Sequence, residues 1–258
     1  MDISAQKKRK AIHDYFLPSI KRVANHDEPS PEKSCLNTKE KSQDQLASVT
    51  AVPGLTLHGS FVTPREEQQI LEFLNDEAKC TWRTDLSRRT MHFGGTYCLM
   101  PPKSTSTDNR VQPEILQAPD LPEDLSWLIE RMVDAGIFQA DKRPQYCIVN
   151  EYTGDLGISA HTENFQFGEP VVGLSLLSAC PIRFHELKRP FDGSVRSGKA
   201  ARAEKTGKRA DVHLPGRSLL VMRGESRWRW QHEIVRSEKR RGVGWKRVSL
   251  TFRWKDPT

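Results

Sequence analysis

The sequence predicts a mostly β fold with flanking helices, an α+β sandwich or barrel. The prediction rests on short β-rich runs between turns after Tyr146, and on amphipathic helical stretches before it. It rests also on the absence of any apolar run near the ~20 residues that cross a bilayer.

The elements follow in chain order. Residues 1–50 are rich in Lys, Ser, Glu, Asp and Asn, with few apolar positions. Such a segment buries too little surface to offset its ordering entropy, so it is predicted to be a disordered basic tail. Residues 51–258 are the predicted folded domain. Order is expected to begin at "VPGLTLHGSFVTPREEQQILEFLNDE", where Thr63-Pro64 opens a helix and Ile70, Leu71, Phe73 and Leu74 make its apolar stripe. A second helix is expected over Pro122 to Phe138. The strand-like runs are "YCIVNEY", "VVGLSLLS", "CPIRFHEL", "RSLLVMRG" and "RVSLTFRW". Residues 188–212, polar and rich in Gly and Lys, read as a mobile basic insertion.

Composition narrows the function classes. Forty basic against 33 acidic residues give a net charge of +7, which suits an anionic partner such as nucleic acid. The five cysteines, at 35, 80, 98, 147 and 180, are odd in number and form no CxxC, which argues against a disulfide framework and for a reducing compartment. The basic N-terminus is followed by no apolar h-region, so a secretory signal is not expected and a soluble intracellular monomer is.

Three patterns carry chemistry. In His161-x-Glu163, extended chain points both side chains the same way, toward a metal that a distant residue such as His232 in "RWRWQHEIV" would complete. Alone, the pair fits a hydrogen-bonded turn as well. In "RVSLTFR", Arg247, Ser249, Thr251 and Arg253 share one face and Val248, Leu250 and Phe252 the other. Two guanidinium groups on one face can grip a dicarboxylate, although an edge strand with solvated arginines has the same pattern. In "YCIVNEY", Asn150 and Tyr152 share a face and can hydrogen-bond the same small acid.

Taken in order, Asn150-x-Tyr152, His161-x-Glu163, "SLLVMRGESRWRWQHEI" with His232, and Arg247-x5-Arg253 resemble the AlkB family of Fe(II)/2-oxoglutarate dioxygenases. The third motif is similar to the oxygenase domain of the AlkB homologue 8 subgroup, which acts on tRNA wobble uridines. The resemblance, over residues 53–255, implies a double-stranded β-helix (jelly roll) with supporting N-terminal helices. It implies Fe(II) held by His161, Glu163 and His232, with 2-oxoglutarate and O2 as cosubstrates. Tyr152 and Arg247 would hold the distal carboxylate of 2-oxoglutarate, and Asn150 and Arg253 would lie toward its metal-chelating end. The usual carboxylate ligand is Asp, and the extra methylene of Glu163 moves the oxygens by ~1.5 Å.

The family's substrate lid precedes the metal motif, where "RRTMHFGGTYCLMPP" offers Arg88, Arg89, His92, Phe93 and Tyr97 for phosphate and a flipped base. The same stretch also reads as a buried strand ending in a Gly-Gly turn. In the tail, Lys7-Lys8-Arg9-Lys10 with Lys21-Arg22 reads as nuclear localisation or nucleic-acid attachment. Ile12, Tyr15 and Phe16 fit a sliding-clamp-binding peptide, with Arg9 standing where glutamine usually opens it. The expected function is therefore oxidative demethylation of alkylated nucleobases in DNA or RNA, with DNA repair in the nucleus favoured. The alternatives are tRNA wobble-uridine hydroxylation, or a non-catalytic nucleic-acid or clamp-binding module with a degraded metal site.

Overall fold

A computed structural model describes residues 46–48, 51–97, 115–190, 203–236 and 241–255. The tail motifs, including Ile12, Tyr15 and Phe16, lie outside the described residues. The elements are β1 Leu46–Ser48, β2 Leu55–His58, α1 Pro64–Asn75, β3 Arg89–Phe93, β4 Thr96–Tyr97, β5 Ile115–Leu116 and α2 Ser126–Asp134, the last preceded by a 3-10 turn. There follow β6 Tyr146–Thr153, β7 Ile158–His161, β8 Val171–Leu177, β9 Cys180–Leu187, β10 Lys205–Leu214, β11 Ser218–Met222, the short α3 Glu225–Trp228, β12 Trp230–Ile234 and β13 Lys246–Arg253.

The two supporting helices form where their caps and stripes predict. Thr63 caps α1, accepting from the Glu66 amide at 3.2 Å while the Glu66 carboxylate accepts from the Thr63 amide at 2.8 Å. Hydrogen bonding from Arg131 of α2 also holds the Glu66 carboxyl down at about 2. Ile70, Phe73 and Leu74 are buried on the predicted stripe, each stabilising by ~1.5–3 kcal/mol. The second helix ends at Asp134, four residues short of expectation (138 − 134), because Gly136 takes φ +67. There Gly136 N–H donates to Val133 O and Ile137 N–H to Met132 O, a closure that reverses the chain.

The strands make two main antiparallel sheets. The larger has the order β1-β2-β11-β8-β13-β6-β3 and the smaller β10-β9-β12-β7. From β6 to β13 the chain alternates between them, crossing within the smaller sheet only at β9–β10, which is the predicted jelly roll. Alternation sorts each strand of the larger sheet. Val172, Leu174 and Leu176 of β8 and Val248, Leu250 and Phe252 of β13 join Ile70, Leu74, Leu128 and Met132 in the helix-side core. Their neighbours Gly173, Ser249, Thr251 and Arg253 instead line a cavity shared with the smaller sheet. A second core, including Val171, Ile182, Phe184, Leu214, Met222 and Trp230, closes the space between the sheets beside that cavity.

Two boundaries differ from the sequence expectation. Leu46–Ser48, inside the segment read as tail, pairs with β2, because an edge strand can be held by backbone hydrogen bonds with little apolar content. The stretch 188–212 is not a loop throughout: Lys205–Leu214 is a strand paired with β9 from Leu187 to Cys180. Its polar residues mislead because the outer face of this edge strand meets solvent, and only Val212 and Leu214 are buried.

Candidate metal centre

β7 and β12 pair so that His161 and His232 stand directly opposite, with ring centroids 4.4 Å apart. Glu163 follows two residues after β7 ends and brings its carboxylate near both rings. Its Oε1 lies 3.5 Å from His232 Nε2 and 3.9 Å from His161 Nε2. The three offered ligand atoms lie within 4.8 Å of one another, near the span that two bonds of ~2.0–2.2 Å bridge. His161 Nδ1 donates to the Ser159 carbonyl at 2.8 Å, which leaves Nε2 its lone pair for a metal.

Electrostatics supports a neutral His161 and an ionised Glu163. Burial, and then the neighbouring His232, push His161 down to about 4, so it is neutral at pH 7. Burial opposes the charge on Glu163, but Arg253 and both histidines outweigh it and hold the carboxyl well below its usual range. Arg253 Nε reaches Glu163 Oε2 at 2.6 Å. Two imidazoles and one carboxylate on one side of a cavity are the donor set of a non-haem Fe(II) site, and the residues present fit that ion.

The opposite wall fits a small dicarboxylate. A cavity of about 180 Å³ reaches from the triad to Asn150, Tyr152, Ser249 and Arg247. β13 is not an edge: it lies between β8 and β6, and Arg247 and Arg253 are each only 4% exposed, so solvated arginines are excluded. Arg247 donates to Ser175 Oγ at 2.8 Å and lies 5.5 Å from the Tyr152 ring centroid. Its Nε has no partner among the described residues, and burial lowers its pKa. Burial likewise raises the Tyr152 phenol, so it stays a donor. Ser175 and Gly173 are legible in "VVGLSLL" as the small residues alternating with Val172, Leu174 and Leu176, a face the sequence motifs above do not include.

The predicted lid residues divide. Arg88 lines the cavity and donates to Asn150 Oδ1 at 2.7 Å, and His92 lines it with Thr90. Arg89 and Phe93 do not. Arg89 is bound to both Glu151 oxygens at 2.8 and 2.9 Å and stacks over Trp82. Phe93 is buried in the helix-side core, its ring 6.4 Å from Phe73. The reason is the period-2 alternation of β3, which lets only Arg88, Thr90 and His92 share the cavity face. Tyr97 is in β4, paired with β5, and its side chain lies outside the described residues.

His92 permits a test through pH. Burial, then Arg83 and Arg253, push its pKa from 6.5 to about 4. On acidification the unfolded chain takes this proton first, so stability is full above 6.5 and is lost as pH falls toward 4. In thermal melts of metal-free protein, His92→Gln is expected to lose less stability than the wild type between pH 6.5 and 4.5. Parallel curves would contradict it.

Comparison with known proteins places these features. Residues 54–253 match the profile of the 2OG-Fe(II) oxygenase superfamily. The chain is 30% identical over 191 residues to the "Alkylated DNA repair protein ALKBH8 homolog" of Arabidopsis thaliana, covering 71% of this chain and 51% of that one. It is 30% identical over 206 residues to the mouse (Mus musculus) "tRNA (carboxymethyluridine(34)-5-O)-methyltransferase ALKBH8", covering 78% and 27%. The chain thus spans about half and about a quarter of these relatives. The solved structure of OsALKBH1 superposes with a TM-score of 0.53 at 19% identity, over 78% of this chain and 98% of that one.

Proposed function

The chain belongs to the 2OG-Fe(II) oxygenase superfamily, with AlkB-like relatives, and from that premise we propose that it oxidatively demethylates alkylated nucleobases in DNA or RNA, DNA repair foremost. The observation that carries the reading is the single cavity with an iron donor set on one wall and the buried Arg247 on the other. The family's cofactors are Fe(II), 2-oxoglutarate and O2. When bound, they supply an oxidant that inserts one oxygen atom into a C–H bond while 2-oxoglutarate becomes succinate and carbon dioxide.

The chain's own residues position and balance charge. His161, Glu163 and His232 hold the metal. Arg247 and Tyr152 hold the distal carboxylate of 2-oxoglutarate, and Ser175 orients the guanidinium. Asn150 and Arg253 lie toward the chelating end, Arg253 acting through its bond to Glu163. Arg88 and His92 face the substrate, His92 as a neutral group. Hydroxylation of an N-methyl carbon gives N–CH2OH, which breaks to formaldehyde and the N–H base. The net charge of +7 and the names of the curated relatives support a nucleic-acid substrate.

A second reading, hydroxylation of a modified tRNA uridine, is favoured by the tRNA-modifying name of the mouse relative. Incubating the full chain with N-methylated DNA, N-methylated RNA and tRNA, and weighing the released nucleosides, separates the two. Loss of a methyl group from DNA supports repair. Oxygen gained on a tRNA uridine, with methylated bases untouched, overturns the demethylase reading.

The tail belongs to the repair reading. Residues 1–45, which precede β1, are expected to be dispensable on short oligonucleotides but required for nuclear accumulation, and Tyr15→Ala with Phe16→Ala is expected to weaken capture by the sliding clamp. Microscopy of full-length and tail-deleted protein, followed by a clamp pull-down, checks both. Cytoplasmic full-length protein that ignores the clamp would shift preference to tRNA.

A further inference from the structure

Arg227, in the single turn of α3 before β12, points inward and is 1% exposed. Its guanidinium donates to three main-chain carbonyls: Glu163 at 3.1 Å, Asn164 at 2.7 Å and Phe167 at 2.9 Å. The Trp228 ring centroid lies 4.0 Å from its Cζ. All three carbonyls belong to the turn that leaves β7 and carries the carboxylate of the metal triad. Irregular backbone of this kind needs partners for its polar groups when buried, and a planar guanidinium supplies several donors in fixed geometry. One side chain therefore fixes the main chain on both sides of Asn164.

The head of the same carboxylate is fixed separately, by Arg253 on Oε2 at 2.6 Å. Glu163 is thus held at its backbone and at its far oxygen, which leaves Oε1 turned to the two imidazoles. A glutamate ligand has one more side-chain torsion than an aspartate. The extra side-chain torsion adds freedom, and the two arginines remove it. Arg227 also stands five residues before His232 (232 − 227), in the turn of α3 that leads into β12, so it ties the stretch carrying one ligand to the turn carrying another.

We propose that Arg227 is a positioning residue: it pins the 163–167 turn, so setting where Glu163 Oε1 stands and how tightly the triad takes a divalent metal. The proposal rests on the metal reading above. It is tested on the full chain by titrating Co(II), followed by visible absorption, against Arg227→Lys, which keeps the charge but not the planar fork. Near-ultraviolet circular dichroism checks packing. Groups that orient metal ligands typically alter affinity by ~10–100-fold, so the variant should bind cobalt at least ~10-fold more weakly, with an altered absorption band and unchanged packing. A role confined to stability would lower the melting temperature and leave the cobalt dissociation constant of the folded protein unchanged.

Should Arg227→Lys not fold, Trp228→Leu removes the ring beneath the guanidinium but leaves its three bonds, and should weaken cobalt binding less and in the same direction. If the wild type binds and the folded variant binds equally tightly, the positioning role is overturned and the metal reading stands. If the wild type takes no cobalt, the metal reading falls and the inference with it.

Discussion

His232→Ala is expected to lose divalent-metal binding and, with it, all succinate production above background, while the fold persists. His232 holds its place in the sheet by backbone pairing with Phe184 and His161, which alanine retains. The side chain is one of the three donors brought together among the described residues, and a donor set of one imidazole and one carboxylate leaves the ion mostly to water. Glu163→Gln separates charge from shape. It preserves side-chain length but removes the negative charge that Arg253 and the metal share, so binding should fail there too. Calorimetric Mn(II) titration with circular dichroism measures both. Full turnover by His232→Ala would remove the triad assignment.

Arg247→Met should raise the 2-oxoglutarate requirement at least tenfold and at the same time stabilise the cosubstrate-free protein. Losing one partner of a buried, hydrogen-bonded charge pair costs ~2–5 kcal/mol, which sets the first effect. The second follows from burial. Arg247 is buried with Nε unpartnered, and no carboxylate ion-pairs with it among the described residues. An isolated buried charge is costly, and a methionine of similar length removes that cost. Opposite movements of stability and affinity distinguish a group kept for its ligand from one kept for packing. An unchanged Michaelis constant for 2-oxoglutarate would contradict the role.

Much of this site was legible in the sequence because strands write their faces in alternate residues. "RVSLTFR" and "YCIVNEY" showed which side chains share a surface, and both surfaces turned out to face one cavity. In "RRTMHFGGTY" the same rule puts Arg89 and Phe93 on the opposite face from Arg88 and His92. β10 was hidden because an exposed edge strand needs backbone partners rather than an apolar stripe, and its Lys, Gly and Arg residues imitate a loop. Arg227 was hidden for a different reason. In "ESRWRWQHEI" it is one charge among several, and nothing local says that its partners are carbonyls 60 to 64 residues away. Long-range hydrogen bonds to main chain leave no mark on residue type.

One cavity is proposed to couple 2-oxoglutarate consumption to oxidation of a nucleobase. The most direct measurement follows succinate, formaldehyde and base mass in a single anaerobically loaded reaction of full chain, Fe(II), 2-oxoglutarate and an N-methylated oligonucleotide, started by admitting air. Succinate rising with formaldehyde and with loss of the methyl group, and all three absent in His232→Ala, is the predicted result. Methyl loss without 2-oxoglutarate, or undiminished in His232→Ala, would contradict it.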